Sequence, residues 1–84
     1  MGTSAVVLGV DDNGTDDAIA QRLRDLGFVA GEPVRIAAHG PLGADPLLVQ
    51  IGYTRFALRR AEAARVRIAL NEAVTTIATA AAQG

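Results

Sequence analysis

His39 is the only imidazole in the sequence, and Asp45 follows it in the same Gly- and Pro-rich stretch. Imidazole nitrogen and carboxylate oxygen are ligands that suit a transition metal, but a metal site takes three or four protein or water ligands. The pair would need help from the acids of Asp11-Asp12 or from a second chain; an exposed histidine at a strand end is the simpler reading. Asp11-Asp12-Asn13-Gly14 begins like a calcium loop and then lacks its twelve-residue ligand pattern, so it reads as a turn.

Other chemistry is harder to assemble. There is no Cys, and Ser4 is the only Ser, so a nucleophile with a base beside it is not at hand. A phosphate-binding P-loop requires a Lys, and all eight basic side chains are Arg. Gly40-Pro41-Leu42-Gly43 has neither the glycine spacing nor the following helix of a dinucleotide loop. These absences lead us to expect a protein that is not an enzyme. Arg55, Arg59, Arg60, Arg65 and Arg67 raise the question of nucleic acid. The net charge of −1 and the presence of only Phe28, Tyr53 and Phe56 as rings argue against it. The expected alternative is a solvated face paired with Glu62 and Glu72.

These residues must be held by a small set of elements. Ala5–Val10 is a β-branched run closed by Asn13-Gly14, which predicts a strand. Thr15 offers an N-cap, Asp16 and Asp17 suit a first helical turn, and Ile19, Leu23 and Leu26 form one stripe. Gly27 stops that helix, expected over Thr15–Leu26, and Phe28 is placed to fold back on its last turn. The period then changes to two: Val34, Ile36 and Ala38 face one way, and Arg35, Ala37 and His39 the other. Residues 40–46 form a loop. Leu47–Ile51 and Thr54–Leu58 are strands joined at Gly52-Tyr53. Arg59–Ala64 suits a helical turn, and Arg65–Leu70 is a last strand with Val66, Ile68 and Leu70 inward. The tail from Asn71 to Gly84 is expected to extend a helix or fray, outside the core.

Eighty-four residues are enough for one domain, with half of them hydrophobic. No apolar run approaches the roughly 20 residues of a membrane span, and Met1–Val10 has no basic start of a signal peptide. The expectation is a cytoplasmic protein that does not span a membrane. Five short strands in so small a chain favour closure into a barrel, which hides sheet edges.

Three stretches together resemble the FeoA family. They are Arg22-Leu23-Arg24-Asp25-Leu26-Gly27-Phe28-Val29-Ala30-Gly31-Glu32-Pro33-Val34, the loop Gly40-Pro41-Leu42-Gly43-Ala44-Asp45-Pro46, and Ala57-Leu58-Arg59-Arg60-Ala61-Glu62-Ala63. The resemblance covers about Ala5 to Leu70, giving a FeoA-type domain over 1–70 and a tail over 71–84. It implies an SH3-like β-barrel of about five strands, with one main helix after the first strand and a short helical turn before the last. Family members usually open with a leader of the form Leu-x-x-Leu-x-x-Gly. Gly2-Thr3-Ser4 stand there instead, so a missing or shortened leader is expected.

The resemblance implies an accessory adaptor of ferrous iron uptake that binds the FeoB transporter at its cytoplasmic GTPase region and modulates GTP hydrolysis or transport. No cofactor is required for that role. The alternative is a metal-responsive or metal-bridged domain that self-associates as a homodimer, with His39 and Asp45 as candidate ligands. Candidate partner contacts are apolar residues in turns: Leu26, Phe28, Pro41, Leu42 and Gly43. Tyr53 is the one ring expected to be exposed, too little for a proline-rich ligand. Arg59 and Arg60 would orient the partner from the rim.

Overall fold

Alternating apolar residues build most of the molecule. The computed structural model describes residues 2–38 and 46–83. Its elements run β1 (Thr3–Val10), α1 (Ala18–Leu26), β2 (Pro33–Ala38), β3 (Leu47–Ile51), β4 (Thr54–Leu58), α2 (Arg60–Ala63), β5 (Val66–Leu70), β6 (Ala73–Thr76) and α3 (Ile77–Gln83). The six strands form one antiparallel sheet in the order β4-β3-β2-β1-β5-β6. β1 is central, with Val6 facing Pro33 of β2 on one side and Ala69 of β5 on the other. Val7, Val49, Val66 and Ile68 are fully buried from three different strands, as the period of two requires.

Two-residue turns set the register at both ends of the sheet. Gly52 has φ of +59° at the first turn position between β3 and β4, the place where a type II′ turn takes glycine. Between β5 and β6, Asn71 and Glu72 both have positive φ, as in a type I′ turn. Leu70 and Ala73 flank that turn as a register pair.

α1 begins later than the sequence suggests. Its N-cap is Asp17, not Thr15: one carboxylate oxygen accepts from the N–H groups of Ile19 and Ala20, at 3.1 and 3.2 Å. The other oxygen accepts from the Asn13 N–H at 2.7 Å and from Arg65 Nε at 2.7 Å. An aspartate satisfies more donors at once than a threonine hydroxyl, which explains the shift. Gly27, at φ +118°, ends the helix, and the Phe28 N–H returns to the Leu23 carbonyl at 3.1 Å.

Three ion pairs tie this end of the molecule together. Besides Asp17–Arg65, Arg24 reaches Asp12 at 2.8 Å and Arg67 reaches Asp11 at 2.8 Å. Arg65 and Arg67 therefore pair with the acids after β1, and not with Glu62 and Glu72 as the sequence suggests. β5 lies beside β1, which brings these arginines to the turn that leaves β1. The hydrogen bond from Arg65, and next that from the Asn13 N–H, lower the Asp17 carboxyl from its ordinary 3.8 to about 2. A depressed carboxylate stabilises the fold above the unfolded value and loses that contribution as the pH falls through the folded one. The thermal midpoint of wild type should therefore exceed that of Asp17→Asn at neutral pH. The gap should narrow between about pH 4 and about pH 2, as paired melts across that range would show.

The tail corrects a second expectation. Residues 73–83 form β6 and α3, and Ile77 is fully buried, with Ala78, Ala80 and Ala81 also in the core. The Thr76 hydroxyl accepts from the Thr79 N–H at 3.1 Å and caps the helix.

Candidate functional site

α1 turns only part of its stripe inward. Ala20 and Leu23 are buried, whereas Ile19 and Leu26 remain 40% and 37% exposed. Across from them runs β4, with Leu58 buried and Phe56 half-buried. Between the helix and this edge strand lies an open cleft of about 450 Å³. Its floor is apolar, built from Leu23, Leu26, Phe56 and Leu58, and Ile19 stands at its side.

The rim is polar and carries more positive than negative charge. Arg22, Arg55 and Glu62 all border the cleft. Glu62 accepts the Arg59 N–H at 2.7 Å, which fixes its carboxylate at the start of α2. Among the described residues, Arg55 reaches only the neutral amide oxygen of Gln50, at 3.4 Å. Arg22 has no ion-pair or hydrogen-bond partner among the described residues. An apolar floor bordered by Arg22 and Arg55, neither paired with a carboxylate among the described residues, suits a protein segment with both hydrophobic and acidic side chains.

The residues expected from sequence divide four ways. Leu26 lines the cleft. Phe28 does not reach the surface: it is fully buried and packs on Phe56, with ring centroids 5.7 Å apart at 55°. It supports the floor from behind, because the turn at Gly27 folds it under the helix and not outward. Tyr53 is fully exposed at the β3–β4 turn, and Arg59 and Arg60 are exposed at α2; none of the three borders the cleft. His39, Pro41, Leu42, Gly43 and Asp45 lie outside the described residues. Among the described residues, no three of His, Cys, Asp and Glu come together in a group that could hold a metal. From sequence, Ile19 belongs to the helix stripe and Arg55 to the arginines weighed against nucleic acid, but neither they nor Arg22 count among the expected partner contacts, since only the juxtaposition of α1 with β4 brings them to one cleft.

The FeoA domain family matches residues 1–70. The chain belongs to the FeoA family. FeoA from Stenotrophomonas maltophilia, solved in complex with zinc, is 63% identical, with a TM-score of 0.72 over 77% of this chain and 76% of that one. That protein is described as a prokaryotic SH3 domain protein and a candidate activating factor of bacterial ferrous iron transport. Iron(II) transport protein A from Clostridium thermocellum is 28% identical, with a TM-score of 0.69; the match covers 82% of this chain and 40% of that one. A third structure, an iron uptake regulatory protein also called FeoA, shares the fold at 22% identity and a TM-score of 0.60. No curated protein gives a significant match. The architecture is thus the SH3-like domain of FeoA, mostly β, with six strands among the described residues where five were expected. FeoA is associated with ferrous iron transport as an accessory family. Among the described residues, no helix is long and apolar enough to cross a membrane.

Proposed function

We propose that this chain is a non-catalytic cytoplasmic adaptor that docks on the GTPase region of a FeoB-type ferrous iron transporter and modulates GTP hydrolysis or transport. The observation that carries this reading is the cleft between α1 and β4, with its apolar floor and its arginine rim. An adaptor needs a docking surface and no reactive group, and preferential binding to one partner conformation is enough to shift that partner's equilibrium. Leu26 would sit at the centre of the contact, with Arg59, Arg60 and Tyr53 as outer contacts.

A titration against the isolated cytoplasmic domain of the cognate transporter tests the proposal, with and without a GTP analogue. Binding should be saturable, sensitive to nucleotide and indifferent to chelator. Leu26→Asp should weaken it by at least about tenfold, the effect of losing one buried anchor worth 1.4 kcal/mol. Binding unaffected by Leu26→Asp would remove the cleft from the contact.

A second reading is self-association bridged by metal, favoured by the zinc in the Stenotrophomonas maltophilia structure. In this reading His39 and Asp45 would supply ligands in each of two chains. A sedimentation experiment distinguishes the two: a dimer that dissociates with chelator or in His39→Ala supports the bridged form.

A further inference from the structure

β4 is the last strand at one end of the sheet, so only one of its edges is paired. The two-residue turn at Gly52-Tyr53 makes Ile51 and Thr54 a hydrogen-bonded pair with β3. Antiparallel pairing alternates, so Phe56 opposite Val49 and Leu58 opposite Leu47 also exchange bonds with β3. The N–H and C=O groups of Arg55 and Ala57 therefore point away from β3. They find no backbone partner among the described residues. Four consecutive residues, Arg55 to Leu58, all border the cleft, as they would if it ran along the strand's free edge.

We infer that the cleft receives an extended peptide segment, which joins the sheet beside β4, places alternate apolar side chains over Phe56 and Leu26, and sets a carboxylate near Arg22 and Arg55. The inference rests on the adaptor reading and specifies the kind of segment the partner presents. A docked helix keeps its backbone bonds to itself and would leave the Arg55 and Ala57 groups without partners. An added strand supplies four hydrogen bonds to those groups and buries apolar side chains on the floor at the same time. Charge selects among strands. A guanidinium on an edge strand discourages pairing with neutral or basic sequences, one of the ways natural sheets guard their edges. With Arg22 opposite, it favours an acidic segment.

The test uses the full chain, a random nonapeptide library displayed on phage, and the cytoplasmic domain of the transporter. Selected peptides should alternate apolar residues and carry at least one Asp or Glu. On saturation with such a peptide, amide exchange at Arg55 and Ala57 should slow by at least about tenfold, while Phe56, already bonded to β3, changes little. Ala57→Pro removes one outward donor without touching the β3 ladder, and should weaken peptide binding by at least about tenfold with an unchanged circular dichroism spectrum. Arg55→Glu should reverse the preference for acidic peptides. Peptides that bind as helices, or that leave the Arg55 and Ala57 amides unprotected, overturn the inference, as does a library that yields no binder. Peptides that add to β4 while the transporter domain fails to bind uphold strand addition and overturn the choice of partner. A transporter domain that binds equally well to Ala57→Pro, without protecting these amides, upholds the partner and overturns strand addition.

Discussion

Phe28→Ala should lower the stability of the domain by about 3–5 kcal/mol, a large fraction of the 5–15 kcal/mol typical of small proteins. The ring is fully buried and belongs to the largest side chain in the core. Its backbone is fixed as firmly as its ring, by the Gly27 turn and the bond from its N–H to the Leu23 carbonyl. The core therefore cannot collapse easily into the space left behind, which places the substitution toward the costly end of the range. Part of the loss belongs to the tilted contact with Phe56, and such aromatic pairs carry about 0.5–1.5 kcal/mol beyond their buried area. Urea denaturation of Phe28→Ala, Phe56→Ala and the double variant would isolate that part as a coupling energy. A loss below about 1 kcal/mol for Phe28→Ala would mean that the ring does not fill the core as described. Because Phe56 is also floor of the cleft, a variant that stays folded should bind its partner more weakly without losing any residue at the contact.

The second large effect lies in the tail. Ile77→Ala should destabilise by about 2–5 kcal/mol, the range for deleting a large buried aliphatic side chain. Thr79 provides the contrast, since it is exposed on the same helix; Thr79→Ala should stay within about 0.5 kcal/mol. Denaturation curves for the two variants would separate a packed helix from a frayed one: equal curves would mean that α3 contributes nothing. The FeoA match stops at residue 70, yet in this chain the residues that follow supply a strand to the sheet and a plug to its core. A chain ended after Leu70 should accordingly be far less stable than the full one.

The parts of the fold that were legible in the sequence are those whose signals are local. Gly27 announces the end of α1, Gly52 the β3–β4 turn, and Val34 and Ile36 alternate as their burial requires. The tail was not legible because its signals are weak or misleading. Asn71-Glu72 adopts a turn that usually asks for glycine at its second position. A helix made largely of alanine has no strong apolar stripe, although Ala78, Ala80 and Ala81 are buried where the helix packs on β5 and β6. For the site, Leu26 could be chosen as an apolar residue next to a turn, but Phe28 satisfied the same criterion and is buried. What separates them is the direction the chain takes after Gly27. Arg22 and Arg55 are distant in sequence and come to border one cleft only when α1 comes to rest beside an edge strand.

The placement of β1 has a consequence for how the protein is made. The strand that leaves the ribosome first occupies the middle of the sheet, and one of its two neighbours, β5, is among the last to be synthesised. Val6 waits for Ala69, and the core waits for Ile77. Topologies dominated by such long-range pairing fold slowly, on the order of milliseconds to seconds, because the loop must close before its contacts are gained. The newborn chain therefore spends its synthesis with β2, β3 and β4 assembled at most into a meander that lacks its central partner's second side. Synthesis has to pass Ile77 before the domain becomes a cooperative unit, so a product that stalls before that residue should be a substrate for proteases and not a partly working domain.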